Sequence, residues 1–95
     1  SFIMPKVKRI TLDILKPRSP SSLEFAKAIA DQESPCRVQL TVDEVDEKTE
    51  SITLVIEGED IPFDAITETI QNLGGSLHSI DEVEVEGSGT SPRQE

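Results

Sequence analysis

Between Lys8 and Lys16 the apolar residues Ile10, Leu12 and Ile14 fall at every second position, with Arg9, Thr11 and Asp13 between them. That is the period of a strand buried on one face. Pro17-Arg18-Ser19-Pro20 then punctuates the chain, because proline disfavours helix in the residue before it. Ser21 stands three residues before Glu24, the spacing at which a serine hydroxyl takes up a free helical N–H, so a helix is predicted to start near Ser21. Its narrow apolar face is Leu23, Ala26, Ile29 and Ala30, and it ends before Pro35. Cys36, Val38, Leu40 and Val42 alternate with Arg37, Gln39, Thr41 and Asp43 as a second strand, and Asp46 to Glu50 reads as a solvated turn. Ile52, Leu54 and Ile56 mark a third strand, closed by Gly58-Glu59-Asp60. Pro62 suits a first helical turn, and Phe63, Ile66, Ile70 and Leu73 form the stripe of a second helix that stops at Gly74-Gly75. The fourth strand, from Ser76 to about Glu86, changes phase: His78 and Ile80 share one alternation, Val83 and Val85 the other. A bulge between them would produce this slip.

Two internal matches support the segmentation. Ile10-Thr11-Leu12-Asp13-Ile14 resembles Ile52-Thr53-Leu54-Val55-Ile56, and Val42-Asp43-Glu44-Val45-Asp46 resembles Ile80-Asp81-Glu82-Val83-Glu84. They occur in the same order and bracket a helix in both halves, as a duplicated strand–helix–strand unit would. The order βαββαβ predicts an α+β, ferredoxin-like fold in which right-handed crossovers place both helices on one face of a four-stranded antiparallel sheet. The second and fourth strands are then the edges. Ile10, Leu12, Ile14, Val38, Leu40, Val42, Ile52, Leu54 and Ile56 are expected to face the helices, with Arg9, Thr11, Asp13, Leu15, Arg37, Gln39, Thr41, Asp43, Thr53, Val55 and Glu57 on the open face. Residues 6–86 form the domain in this reading, 1–5 an N-terminal extension and 87–95 a tail of Gly, Ser, Thr and Pro. That tail is expected to pack on a neighbouring copy through Arg93.

Composition narrows the partners. With Lys+Arg 9 against Asp+Glu 19 the net charge is −10, and aromatic residues make up only 3%. Nucleic-acid binding is disfavoured, since phosphates demand basic charge and single strands demand stacking rings. No apolar run approaches the roughly 20 residues of a membrane span, and a cytoplasmic protein is expected. The lone Cys36 excludes an internal disulfide or a Cys-rich zinc module. Charge is also segregated, +3 over residues 1–37 and −13 over residues 38–95. A basic surface of Lys6, Lys8, Arg9, Arg18 and Arg37 could meet the acidic rim of a second copy, a head-to-tail contact that closes into a ring.

Two groups carry candidate chemistry. Antiparallel pairing of the first and fourth strands brings His78, the only histidine, near Asp13 and Lys16, a trio able to bind an anion or move a proton. The repeat instead sets His78 in the place of Leu40, a core-facing position, which describes a buried structural histidine. Asp43, Glu44, Asp46, Asp81 and Glu82 form the densest acidic grouping. It reads either as a solvated rim or as carboxylates converging between subunits on Ca²⁺ or Mg²⁺. No nucleophile stands beside a base, so no catalytic residue is assigned.

Leu12-Asp13-Ile14-Leu15-Lys16-Pro17, with Gly74-Gly75-Ser76-Leu77-His78-Ser79-Ile80-Asp81-Glu82-Val83, resembles the small archaeal proteins grouped as domain of unknown function two hundred and eleven, over about Pro5 to Glu86. The resemblance implies a ferredoxin-like fold and a homo-oligomer, and it supplies no catalytic residues. The reading that follows is a non-enzymatic, homo-oligomeric module, ring-forming, that binds a divalent cation or small ligand between subunits. An amino-acid-sensing regulatory domain is the alternative, and a small hydrolase using His78 with Asp13 a third reading.

Overall fold

The computed structural model describes residues 4–87. Six elements follow in the predicted order: β1 (Lys6–Pro17), α1 (Ser22–Ala30), β2 (Cys36–Val45), β3 (Thr49–Gly58), α2 (Phe63–Asn72) and β4 (Ser76–Glu86). The four strands make one antiparallel sheet in the order β2-β3-β1-β4, with β2 and β4 at its edges. No helix among the described residues is long and apolar enough to cross a membrane.

The central strands supply the alternating residues foreseen for them, and Ile10, Leu12, Ile14, Ile52, Leu54 and Ile56 are buried beneath the helices. Val38 and Leu40 pack at the margin of this core, whereas Val42 lies past the helices and is exposed. The start of α1 is as predicted: the Ser21 hydroxyl accepts from the Glu24 N–H at 3.2 Å. Its buried face is corrected, however. Phe25 and Ile29 enter the core and Leu23 is 65% exposed, because a stripe through Phe25 and Ile29 has the i, i+4 spacing of one helical face and buries the larger ring. In α2, Ile66 and Ile70 are buried. Gly74 and Gly75 stop it as predicted: Gly74 has φ +87°, its N–H reaches the Gln71 carbonyl and the Gly75 N–H reaches that of Ile70, the paired bonds that close a helix through a left-handed residue.

The edge strands are bulged in matching places. In β2, Val42 pairs with Ile52 and Glu44 with Ser51, leaving Asp43 extra; in β4, Ile80 pairs with Leu12 and Glu82 with Thr11, leaving Asp81 extra. These aspartates are equivalent in the internal repeat, and each accepts a nearby hydroxyl, Thr53 on Asp43 at 2.6 Å and Ser79 on Asp81 at 2.7 Å. The bulge at Asp81 is the predicted phase slip of the fourth strand. A second one follows at His78, between the Asp13–Ser79 and Ile14–Leu77 pairs. The contacts foreseen for Arg93 and the character of Ser1 to Ile3 lie outside the described residues.

Candidate functional site

The bulge at His78 decides what β4 offers. Leu77 and Ile80 both face the core side, and the extra residue between them leaves His78 as well as Ser79 on the open face, where unbroken alternation from Ile80 would turn His78 inward. His78 is therefore exposed rather than buried, a correction to its expected core position. With Asp13, Leu15 and Ser51 it lines a depression of about 300 Å³. Asp13 is half-buried there, and no ion pair among the described residues engages it or His78. The structure thus brings Asp13 and His78 together and adds Ser51 and Leu15, which antiparallel pairing of β1 with β3 places directly opposite each other.

Lys16 is not part of this group. It continues the inward phase of Ile10, Leu12 and Ile14 and lies under α1 with no exposed surface. Its ammonium donates to the Pro17 carbonyl at 2.8 Å and to the Glu50 carboxylate at 3.1 Å, and sits 5.6 Å from the centre of the Phe25 ring. Glu50 also receives the Ser22 hydroxyl at 3.3 Å and the Arg18 guanidinium at 3.3 Å. The hydrogen bond from Lys16, ahead of a weaker opposing effect of burial, holds the Glu50 carboxyl below its ordinary range. Lys16 is a structural cation, and the missed signal was its even-numbered phase on β1.

The acidic residues divide between opposite edges. Asp43 and Glu44 belong to β2, Asp81 and Glu82 to β4, and Asp46 to the β2–β3 turn; three strand spacings, about 14 Å, separate the edges. Among the described residues no three His, Cys, Asp or Glu side chains are grouped to hold a metal ion. Glu82 is engaged on the open face, where Thr11 donates to it at 2.8 Å and Arg9 at 3.2 Å. These two bonds, that from Thr11 first, hold its carboxyl below the ordinary range.

Most of the basic surface is also spent within the chain. Arg9 pairs with Glu57 as well as Glu82, Lys6 and Lys8 with Glu59, Lys8 with Glu86, and Arg18 with Glu50. Of the five residues expected to face a second copy, Arg37 alone has no ion pair among the described residues. A different surface stands out instead. On the helix side of β4, beyond the cover of α2, Ile80, Val83 and Val85 join Val7, Ile10 and Phe63 around a wholly apolar groove of about 240 Å³. Val83 is 59% exposed and Val85 53%.

A family model for DUF211, described as uncharacterized ArCR, matches residues 8–90. The uncharacterized protein MJ0319 of Methanocaldococcus jannaschii is 44% identical over 80 residues, which cover 84% of this chain and 82% of that protein.

Proposed function

We propose for this chain, which belongs to the DUF211 family, the role of a non-enzymatic cytoplasmic module that assembles with copies of itself, head to tail and into a ring. One observation carries the reading: an uncovered apolar strip, Ile80, Val83 and Val85, lies along an edge strand. A free edge offers unpaired backbone donors and acceptors to another chain, and exposed valines beside it make that encounter favourable. Val83→Lys tests it. The substitution leaves the core untouched and should reduce the mass measured by light scattering to that of one chain, while a mass equal to wild type speaks against the reading.

A small ligand or a divalent cation binds between copies in this reading, because the acidic pairs lie on opposite edges and only a second copy could bring them together. The depression at Asp13 and His78 favours a ligand with an ammonium group, as an amino-acid-sensing domain would take, since a half-buried carboxylate without an ion-pair partner faces it. Thermal-shift titrations with Ca²⁺, Mg²⁺ and free amino acids separate the two. Stabilisation that discriminates Ca²⁺ from Mg²⁺ at matched ionic strength supports a cation, and stabilisation by an amino acid the alternative.

A further inference from the structure

Resting on the self-assembly reading, we propose that the outer edge of β2 in one copy adds antiparallel to the outer edge of β4 in the next, with Arg37 opposite Glu84 and the sheet continuing across the contact. Chain direction allows it. β3 and β4 both run against β1, and β2 runs against β3, so β2 and β4 run oppositely. A second copy in the same orientation therefore offers its β2 to β4 as an antiparallel neighbour, and both pairs of helices stay on one side of the enlarged sheet.

The side chains select the register. On β2, Val38, Leu40 and Val42 share the helix side and Arg37, Gln39 and Thr41 the open side. On β4 the two bulges leave Leu77, Ile80, Val83 and Val85 on the helix side, with Glu82 and Glu84 on the open side. Setting Arg37 opposite Glu84 puts Val38 against Val83 and, beyond the extra residue Asp81, Leu40 against Ile80. A slip of one residue would turn valines toward carboxylates. α1, which packs on β2, arrives on the same side as the apolar groove and closes over it.

Charge disfavours the symmetric pairing of two β4 edges. Two β4 edges paired through their apolar strips would bring the acidic segment from Asp81 to Glu86 alongside its own copy, and like charges facing each other across strands are destabilising. Arg37 and Glu84, by contrast, both lack an ion pair within the described chain. At the other end of the contact, the β2 end that carries Asp43 and Glu44 comes to lie beside the start of β4, where His78 lines the open-face depression. The neighbouring copy then supplies an acidic wall that one chain lacks.

Charge reversal on the full-length chain tests the pairing. Arg37→Glu and Glu84→Arg should each weaken self-association severalfold to about tenfold, the cost of exchanging an opposite-charge for a like-charge pair at this position; each also sets a like charge opposite Glu57 or Arg9 in its own sheet, so association is read at a temperature well below each variant's own unfolding. The double variant R37E/E84R should recover association. In a Cys36→Ser background, Arg37→Cys combined with Glu84→Cys should give a ladder of oxidised multimers on a non-reducing gel. Wild-type protein that is monomeric would overturn the self-assembly reading itself. Wild-type assembly that tolerates R37E, gains nothing from the double swap and forms no ladder would overturn this edge pairing alone.

Discussion

Lys16 shows how a residue that looks functional in a sequence becomes structural once its phase along the strand is respected. Three hydrogen-bonding or cation–π partners surround its ammonium at a fully buried position, and the pair with Glu50 is the place where the fold is most sensitive to a single change. Lys16→Ala should lower stability by about 3 kcal/mol, because it leaves the Glu50 carboxylate with only Ser22 and Arg18 and empties the space beside Phe25. In a chain of this size that is a fall in Tm of more than about 10 °C. Lys16→Met keeps the apolar stem and should cost less; equal losses would mean that the charge, not the packing, carries the effect. The pH dependence follows from Glu50. A carboxyl held below its ordinary value of 4.5 in the folded chain contributes stability that is fully present above that value and lost as pH falls through the lower folded one. The stability gap between wild type and Glu50→Gln, read from denaturant midpoints, should therefore be largest near neutrality and shrink below about pH 4.5; a gap that widens on acidification would contradict the assignment. The sequence already held part of the signal, since Lys16 follows Ile10, Leu12 and Ile14 in step; its partner came only from the sheet, where the Ile14–Ile52 pair of β1 and β3 continues to Lys16–Glu50.

Elements were the most legible part of the chain. Two-residue alternation in β1 and β3, the Ser21 cap and the Gly74-Gly75 stop each rest on local chemistry that needs no knowledge of the tertiary fold. The site was half legible. Asp13 and His78 do meet, but the bulge that turns His78 outward arises from pairing with β1, which no pattern within β4 announces; only the later slip at Asp81 left a mark, in the phase of Val83. The exchange of Leu23 for Phe25 on the buried face of α1 was hidden for the same reason, since either residue sits among plausible apolar spacings and the sheet beneath chooses between them. Two substitutions test these devices. Gly74→Ala should cost about 1–2 kcal/mol, the penalty of a Cβ in the left-handed region, with Pro17 Cγ 3.2 Å from the new atom adding to it; an unchanged Tm would mean that the α2 stop relaxes. Deleting Asp81 should remove the bulge and restore simple alternation with Ile80, Val83 and Val85 still on the helix side in their present pairs, so Tm should change little and assembly should persist. Loss of assembly in that variant at unchanged Tm would show that the bulge, not the strip on β4, is what associates.

Taken as a whole, the molecule keeps its attractive charges to itself. Lys6, Lys8, Arg9, Lys16 and Arg18 are all paired within one chain, so two copies approach each other bearing a net charge of −10 apiece. A basic surface meeting an acidic one would make assembly weaken with salt, as the segregation of charge along the chain suggests. With most of the cations among the described residues already engaged, the proposed Arg37–Glu84 attraction stands against the repulsion of two acidic bodies. Raising salt from about 50 to about 300 mM, which shortens the screening length below about 10 Å, should therefore strengthen assembly, and light scattering across that range measures it. In the proposed assembly the uncovered apolar strip and the free edges drive association, and charge selects which edges meet. Sedimentation equilibrium of the full-length chain at micromolar concentration and moderate salt tests this most directly. The account predicts a mass that is a multiple of 10.4 kDa, and a single species at 10.4 kDa would contradict it.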